Sequence, residues 1–242
     1  MKITSETIVG EIVKVNYNTA SLFQENNIDY CCGGRISISE ACTEAGIDSN
    51  QLISQLDAML VQNDPDAKYI DDMNLDELCR YIVKRHHSYV RESIPFLEMS
   101  LEKLCKVHGE SHPELFTVRD LFLESAGELT KHMQKEEIVL FPYIAKMILA
   151  KDNNTQLSQP AFGSVTNPVR MMMSEHQVEG ERFLKISSLT NDYQLPADTC
   201  TTYEVTYERL QDFEIDLHRH IHLENNILFP KAAELENELL DK

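Results

Sequence analysis

Two segments of the sequence place a histidine and a glutamate four residues apart and then continue into an apolar run ending in Phe-Pro. Residues 132–142 read HMQKEEIVLFP, and residues 220–230 read HIHLENNILFP. Four residues make about one helical turn, so both side chains of each pair point towards one place. Imidazoles and carboxylates are common metal ligands. The repeat therefore predicts two related halves of a metal site that face each other.

Four predicted helices each carry a histidine on their apolar stripe, and two of them add a glutamate one turn later. A single histidine on such a stripe is more often a hydrogen-bonded structural residue than a ligand. A buried glutamate, however, costs several kcal/mol unless it is neutralised or coordinated. The combination predicts a metal site with six ligands: His87, His132, Glu136, His176, His220 and Glu224.

Four imidazoles and two carboxylates are too many for one zinc ion, which usually takes four ligands. Shared between two ions, they give each ion two histidines and allow both glutamates to bridge. This mixed nitrogen and oxygen set is typical of iron or manganese, and zinc remains open on ligand type alone. Each ion would keep a position for water, an oxo bridge or a small molecule.

The other histidines are weaker candidates. Three lie beside predicted ligands and are expected to be surface groups or to support the ligands from outside: His86, His218 and His222. His222 lies about 200° around the helix from His220, so the two cannot both point into one site. His108 and His112 fall near the end of the first long helix, where we predict loop or surface positions, with His108 a weak candidate near the mouth of the site.

Four long amphipathic helices must position these ligands. Apolar residues recur at helical spacing on each, and Pro95 inside the first helix is expected to bend it. A longer connection lies around residues 151–168. We predict an all-α fold in which residues 73–242 form an up-down-up-down four-helix bundle.

Residues 1–62 predict a separate small helical domain. Its short helical patterns lie near residues 7–15, 18–27, 39–45 and 49–60, with Asn18 and Ser49 as N-caps. The polar break Asn63-Asp64-Pro65-Asp66 indicates a linker, which we assign to residues 63–72.

The adjacent thiols of Cys31 and Cys32 precede two glycines in a predicted turn of this domain. They could serve as a redox pair, a transient iron ligand or a nitric oxide trap, all of which need exposed thiolate character. The alternative is that one thiol packs in the small core and the other is incidental. The other four cysteines are predicted to be structural: Cys42, Cys79, Cys105 and Cys200.

Charge and hydropathy limit the classes of partner. The chain of 242 residues has a formal net charge of −18, which argues against nucleic acid because phosphate binding needs clustered Lys and Arg. No apolar run reaches the roughly 20 residues that cross a bilayer, which argues against a membrane partner. The N-terminal residues do not form a secretory signal pattern, so a cytoplasmic location is expected. The charge and hydropathy of the chain are compatible with a homodimer.

Three motifs together resemble the repair-of-iron-centres family, whose hemerythrin-like bundle carries His-x-x-x-Glu pairs on two helices. They are YCCGG at residues 30–34, SEH at residues 174–176 and the second His/Glu segment. The resemblance covers nearly the whole chain. It implies a non-haem protein with two carboxylate-bridged iron ions, held by the six ligands above, that restores iron–sulfur clusters damaged by nitrosative or oxidative stress. It also implies a role for Cys31 and Cys32.

Three functions are compatible with this pattern. The first is iron donation to damaged iron–sulfur proteins, which makes the protein a repair factor rather than an ordinary turnover enzyme. The second is catalysis, in which a di-iron site reduces nitric oxide, oxygen or peroxide. The third is a sensor or carrier of oxygen or nitric oxide. The attached Cys-Cys domain favours the first.

Overall fold

The computed structural model describes residues 1–61 and 65–240 of the chain. Within these residues the regular structure is helical, and one isolated antiparallel bridge joins Ile8 and Ser37. The predicted all-α class is therefore confirmed. The chain divides into two compact units, the first formed by Met1–Cys79, Met147–Ser158 and Ile221–Lys242, and the second by Arg80–Lys146 and Gln159–His220.

The N-terminal part of the first unit contains short helices: α1 (Val9–Val15), α2 (Thr19–Glu25), α3 (Ile38–Ala45), α4 (Ser49–Leu60) and α5 (Pro65–Asp71). A small apolar core of fully buried side chains holds them together, with Phe23, Leu52 and Leu56 among the largest. Of the predicted linker, Asn63 and Asp64 lie outside the described residues, and Pro65 opens α5.

Side chains at the N-termini of α3 and α4 fix where these helices begin. Ser37 and Glu40 form a reciprocal capping box at the start of α3. At α4 the side chain of Asp48 accepts the backbone N–H of Gln51 at 2.9 Å. The predicted N-cap Ser49 is therefore wrong by one residue, because the preceding aspartate occupies the capping position. Asn18 stands at the predicted N-cap position of α2, but its side chain makes no capping hydrogen bond.

The remaining helices follow in chain order: α6 (Leu75–Ile82), α7 (Ser88–His108), α8 (Glu114–Lys135), α9 (Phe141–Asp152), α10 (Thr166–Leu189), α11 (Thr201–Leu223) and α12 (Phe229–Leu240). Three π-helical segments connect α6 to α7, α8 to α9 and α11 to α12 without a break: Val83–His87, Glu136–Leu140 and Glu224–Leu228. α8 packs against both α7 and α10 in the second unit.

Aromatic rings fill the core of the second unit. The rings of Phe122 and Phe183 lie 5.4 and 5.6 Å from that of Phe213, the first edge-on and the second stacked. All three side chains are almost fully buried. Such pairs contribute about 0.5–1.5 kcal/mol beyond their buried area, so this cluster stabilises the frame that holds the histidines.

None of the helices in the described residues is both long enough and apolar enough to span a bilayer.

Candidate metal centre

Each π-helical segment contains one predicted ligand. Glu136 and Glu224 open the second and third segments, where the backbone N–H groups of Phe141 and Phe229 bond to the glutamate carbonyls five residues back. Prolines follow at once, and since proline has no N–H and crowds the carbonyl four residues earlier, it disfavours α-helical bonding there. The repeated Phe-Pro thus explains why both segments widen in the same place. Single π-turns inside α-helices are frequent at functional sites.

His87 closes the first π-helical segment, which no proline follows. Instead the hydroxyl of Ser88 donates to the carbonyl oxygen of Val83 at 3.2 Å, and the Ser88 backbone N–H bonds to the same carbonyl. Both His86 and His87 are fully buried.

Glu136 lies between two histidines from different helices. Its Oε2 is 3.3 Å from Nε2 of His87, and its Oε1 is 3.3 Å from Nε2 of His132. The carboxylate is fully buried. One oxygen towards each imidazole is the arrangement by which a carboxylate can bridge two cations.

His176 joins this cluster from α10. Its Nε2 is 3.1 Å from Nε2 of His132, so two ring nitrogens converge on one point. The ligand atoms of His132, Glu136 and His176 lie within 4.8 Å of one another, and so do those of His87, Glu136 and His220. The second unit therefore contains two adjacent ligand groups that share one carboxylate.

Glu224 belongs to the first unit. It follows His220 by one turn along the continuous helical backbone, at the same spacing as Glu136 follows His132, and it is fully buried. The helix thus repeats in this segment the local arrangement of the first His/Glu pair.

Outer carboxylates hold the two histidines that face Glu136. Nδ1 of His87 is 2.6 Å from Glu137, and Nδ1 of His132 is 2.8 Å from Glu175. A carboxylate at Nδ1 holds the proton on that nitrogen and leaves the Nε2 lone pair for a metal. This support was missed from the sequence, although both glutamates are next to predicted ligands.

The electrostatic surroundings keep both outer carboxylates ionised. The hydrogen bond from His132 and then that from Lys135 lower the pKa of Glu175 to about 2, against the opposing effect of burial. Burial would raise the pKa of Glu137, but hydrogen bonds from His87 and Arg91 outweigh it and lower the pKa overall.

His86 supports the centre from outside, although it is a buried residue rather than a surface one. Its Nδ1 is 3.0 Å from Oδ2 of Asp216, and its ring stacks on that of His220 with the centroids 5.5 Å apart. Asp216 lies one turn before His220 on α11. Sequence reasoning overlooked Asp216, and its spacing from His220 is the signal that could have revealed it.

A cavity of about 440 Å³ between α8 and α10 reaches His132 and His176. Four glutamates contribute to its wall: Glu124, Glu128, Glu175 and Glu179. The single arginine, Arg182, pairs closely with Glu179, which also accepts a hydrogen bond from Ser125 at 2.7 Å. The other three glutamates are also paired with cations. Glu124 lies 3.8 Å from Arg182, Glu128 lies 2.8 Å from Lys131, and Glu175 pairs with Lys135. The wall is therefore polar, and its charges are largely paired.

Cys31 and Cys32 form a tight turn held by Asp29. Its Oδ1 accepts the backbone N–H of both cysteines at 2.9 Å, and its Oδ2 accepts that of Gly33 at 2.8 Å. A Cβ on Gly34 would overlap the carbonyl of Tyr30, so the turn needs glycine there. The two sulfurs are 3.7 Å apart, and the three side chains offer ligand atoms within 4.8 Å of one another.

This cysteine turn packs on the helix segment that follows Glu224. The side chain of Asn225 donates to the carbonyl of Cys31 at 3.2 Å, and that of Asn226 donates to the carbonyl of Tyr30 at 3.4 Å. Cys31 is buried, and hydrogen bonding with Cys32, together with burial, raises its pKa well above the usual value. Cys31 therefore keeps its proton more firmly than an ordinary thiol.

His222 contacts the same N-terminal region. Its ring centroid lies 5.9 Å from that of Tyr17 and 6.3 Å from that of Tyr30, and its Nδ1 is 3.0 Å from the side-chain nitrogen of Asn226. It is buried, although it points away from the face of His220. The His222 ring is therefore part of the packing around the cysteine turn.

The donor set fits a pair of iron ions. Neutral imidazoles and buried carboxylates suit iron and manganese, whereas no thiol belongs to the groups around Glu136. A fully buried carboxylate with imidazole nitrogens at both oxygens also gains most from added positive charge. The residues thus match what a carboxylate-bridged pair of cations needs.

Comparison with known proteins assigns both parts of the chain to known families. Residues 5–60 match a family model described as a domain of unknown function, DUF542, and residues 80–232 match the hemerythrin HHE cation binding domain. The chain is 32% identical to the iron-sulfur cluster repair protein ScdA of Staphylococcus haemolyticus, over 96% of this chain and 100% of that protein. It is 33% identical to the iron-sulfur cluster repair protein YtfE of Dickeya chrysanthemi, over 93% of this chain and 95% of that protein.

The helical bundle and its His/Glu pairs define a hemerythrin-like cation-binding protein. Together with the N-terminal domain, the relatives place it more narrowly. The chain belongs to the repair-of-iron-centres family of iron–sulfur cluster repair proteins, as the sequence motifs predicted.

Proposed function

We propose that this protein carries two iron ions and donates iron to iron–sulfur clusters damaged by nitrosative or oxidative stress in the cytoplasm. The observation that carries the proposal is the carboxylate of Glu136, which directs one oxygen to His87 and the other to His132. In the proposed site these residues, with His176 and His220, would hold the ions, and Glu224 would supply a further carboxylate. A bridged iron pair supplies exchangeable ferrous ions and electrons when it is bound.

The protein side chains set how firmly the iron is held. Glu137 and Glu175 orient His87 and His132 by accepting hydrogen bonds from their Nδ1–H groups. Six protein ligands for two ions leave coordination positions open, which makes the cargo easier to release than in a site closed by protein. The cavity beside His132 and His176 would give departing cations a polar route out of the site.

The cysteine turn is proposed to assist the transfer. Cys31 and Cys32 would act as a redox pair or as transient iron ligands, because a cation stabilises the thiolate that burial otherwise disfavours. The hydrogen bond from Asn225 ties this turn to the residue next to Glu224. The recipients would be damaged iron–sulfur proteins.

Transfer of isotopically labelled iron tests the proposal. The protein is loaded anaerobically, mixed with an iron–sulfur hydratase damaged by nitric oxide, and separated again. We expect label and hydratase activity to appear together in the recipient, and to do so equally with Glu181→Gln, a surface substitution on α10. Retention of the label with no recovery of activity would contradict iron donation.

The cavity favours reduction of a small molecule as the second candidate. It reaches His132 and His176, so nitric oxide, oxygen or peroxide could arrive beside the proposed ions. Repeated turnover of nitric oxide with the iron retained would support this function over donation.

A further inference from the structure

Cys200 and His108 form a close pair away from the residues proposed to hold iron. The sulfur of Cys200 lies 3.2 Å from Nε2 of His108, which is 92 positions earlier in the chain. Cys200 is exposed, so the predicted structural role for this cysteine is wrong. It lies in the connection between α10 and α11, whereas the predicted structural thiols Cys42, Cys79 and Cys105 are buried.

The backbone around Cys200, like His108, stabilises the thiolate form of this side chain. The residue directly precedes α11, a helix of 23 residues, and its carbonyl oxygen accepts the N–H groups of Tyr203 and Glu204 at 2.8 and 3.1 Å. His108 and then the backbone N–H groups of Tyr203 and Thr202 lower the pKa of the thiol to about 7. An imidazole and a helix N-terminus both favour a thiolate.

Packing keeps His108 in place. Its ring meets that of Tyr203 edge-on at 5.3 Å, and the same tyrosine ring contacts His112 at 5.8 Å. His112 in turn pairs with Asp198 at 2.9 Å and with Glu114 at 3.2 Å. The edge-on contact with Tyr203 packs the imidazole of His108 beside the sulfur.

The charged surroundings of the pair are mixed. Lys103 on α7 donates to the hydroxyl of Thr202 at 3.2 Å, next to the cysteine. Asp198 and Glu114 contribute negative charge, but both are engaged by His112. His108 is thus the group in direct contact with the sulfur, and its replacement should have the largest effect on thiol reactivity.

The pKa values of three other thiols are shifted in the opposite direction. Burial raises the pKa of Cys42 and Cys105, and hydrogen bonding with Cys32, together with burial, raises that of Cys31. Cys200 differs from them in exposure, in its imidazole neighbour and in its position at a helix start. The contrast makes selective reaction at this residue measurable within one molecule.

We propose that Cys200 and His108 form a reactive thiolate–imidazole pair that is oxidised by hydroperoxides. The sulfur attacks the terminal oxygen of the hydroperoxide, so that an S–O bond forms as the O–O bond breaks. The thiol is oxidised to a sulfenic acid, and the hydroperoxide is reduced. The proton shared with His108 passes to the departing oxygen, which leaves as an alcohol or as water.

Thiol alkylation tests the pairing in the full-length protein without an oxidant. Iodoacetamide labelling of each cysteine is followed by mass spectrometry from pH 5.5 to 9.5. We expect labelling of Cys200 to rise with a midpoint near pH 7, and the midpoint to move towards that of an ordinary thiol, about 8.5, in His108→Gln. At pH 7 the substitution should slow labelling only several-fold, because the less acidic thiolate is also the better nucleophile.

Sulfenic acid trapping tests the oxidation itself. The protein is treated with a sub-stoichiometric organic hydroperoxide in the presence of dimedone, and adducts at every cysteine are compared. Adducts should form first at Cys200, disappear in Cys200→Ser and form more slowly in His108→Gln. Equal rates at Cys200 and Cys32, or an alkylation midpoint that His108→Gln leaves unchanged, would overturn the proposal. Labelling of Cys32 in the same samples serves as the internal reference, and circular dichroism verifies that the variants are folded.

Discussion

The side chain of Asn225 donates a hydrogen bond to the carbonyl oxygen of Cys31, 194 positions earlier in the chain. Asn225 immediately follows Glu224, and its own carbonyl accepts a hydrogen bond from Arg35 at 3.3 Å. The second His/Glu segment therefore differs from the first in its contacts as well as in its sequence. Its two asparagines hold the cysteine turn, where the first segment has Glu137, which holds His87.

Replacing Asn225 with Val should loosen the cysteine turn. The Cys31 carbonyl would lose a buried donor, and such a loss costs about 1–3 kcal/mol. We expect faster alkylation of Cys31 and a lower denaturation midpoint. Asn153→Ala, an exposed position at the end of α9, is the matched control and should change neither. Unchanged alkylation of Cys31 in Asn225→Val would show that the contact does not hold the turn.

Replacing Glu136 with Gln should remove most of the bound iron. The amide keeps the size of the side chain but cannot supply a charged oxygen to both proposed ions. We expect the same for Glu224→Gln, and nearly full iron content for the controls Glu181→Gln and His222→Ala, measured by elemental analysis after anaerobic loading. Equal loss of iron in all four variants would contradict the ligand set.

Replacing Glu175 with Gln should weaken iron binding without abolishing it. The ionised carboxylate that orients His132 would be lost, and changes of this kind typically cost about 10–100-fold in metal affinity. Competition with a chelator measures the effect. Since Glu181 lies on the same helix and is exposed, Glu181→Gln should show wild-type competition. Wild-type affinity in Glu175→Gln would mean that the outer hydrogen bond does not tune the site.

The buried pair of Glu214 and Tyr193 should make stability depend on pH. Burial raises the pKa of Glu214 to about 7, while the Tyr193 hydroxyl, 2.7 Å away, opposes the rise. The folded state therefore binds this proton more tightly than the unfolded state. Its contribution to stability is complete below about pH 4.5 and is lost as the pH rises to about 7, a change of order 2–3 kcal/mol.

Chemical denaturation from pH 5 to pH 8 checks this contribution. Glu214→Gln has no proton to lose at that position, so its stability relative to the wild type should increase as the pH rises. The nearby His218, 4.0 Å from Glu214, is retained in both proteins. Parallel stability curves for the two proteins would contradict the raised pKa.

Helical periodicity was sufficient to predict the all-α fold and to place His132, Glu136 and His176 on stripes that meet. It could not predict residues whose role depends on contacts between distant segments. Glu175 and Asp216 bond to His132 and His86 through contacts that depend on helix packing. Cys200 meets His108 because the end of α7 lies beside the start of α11.

The same reasoning failed where a residue had a partner beyond its own helix. His222 lies on the opposite face from His220, which suggested a position outside the core, yet Tyr17 and Tyr30 bury it. Likewise, an α-helical repeat cannot show that Val83–His87 is π-helical, and this is why the burial of both His86 and His87 was not expected.

The π-helical segments also allow the ligand and the apolar face of the following helix to be oriented separately, which a regular helix would not. One extra residue turns everything downstream by about 100° around the axis. The apolar face of α9 can therefore be oriented independently of Glu136, and that of α12 independently of Glu224. Deleting a single residue such as Val139 would turn buried Ile144 and Met147 by about 100° around the helix axis, away from their neighbours. In these helices the length of the segment is therefore as much a part of the site as the identity of the ligands.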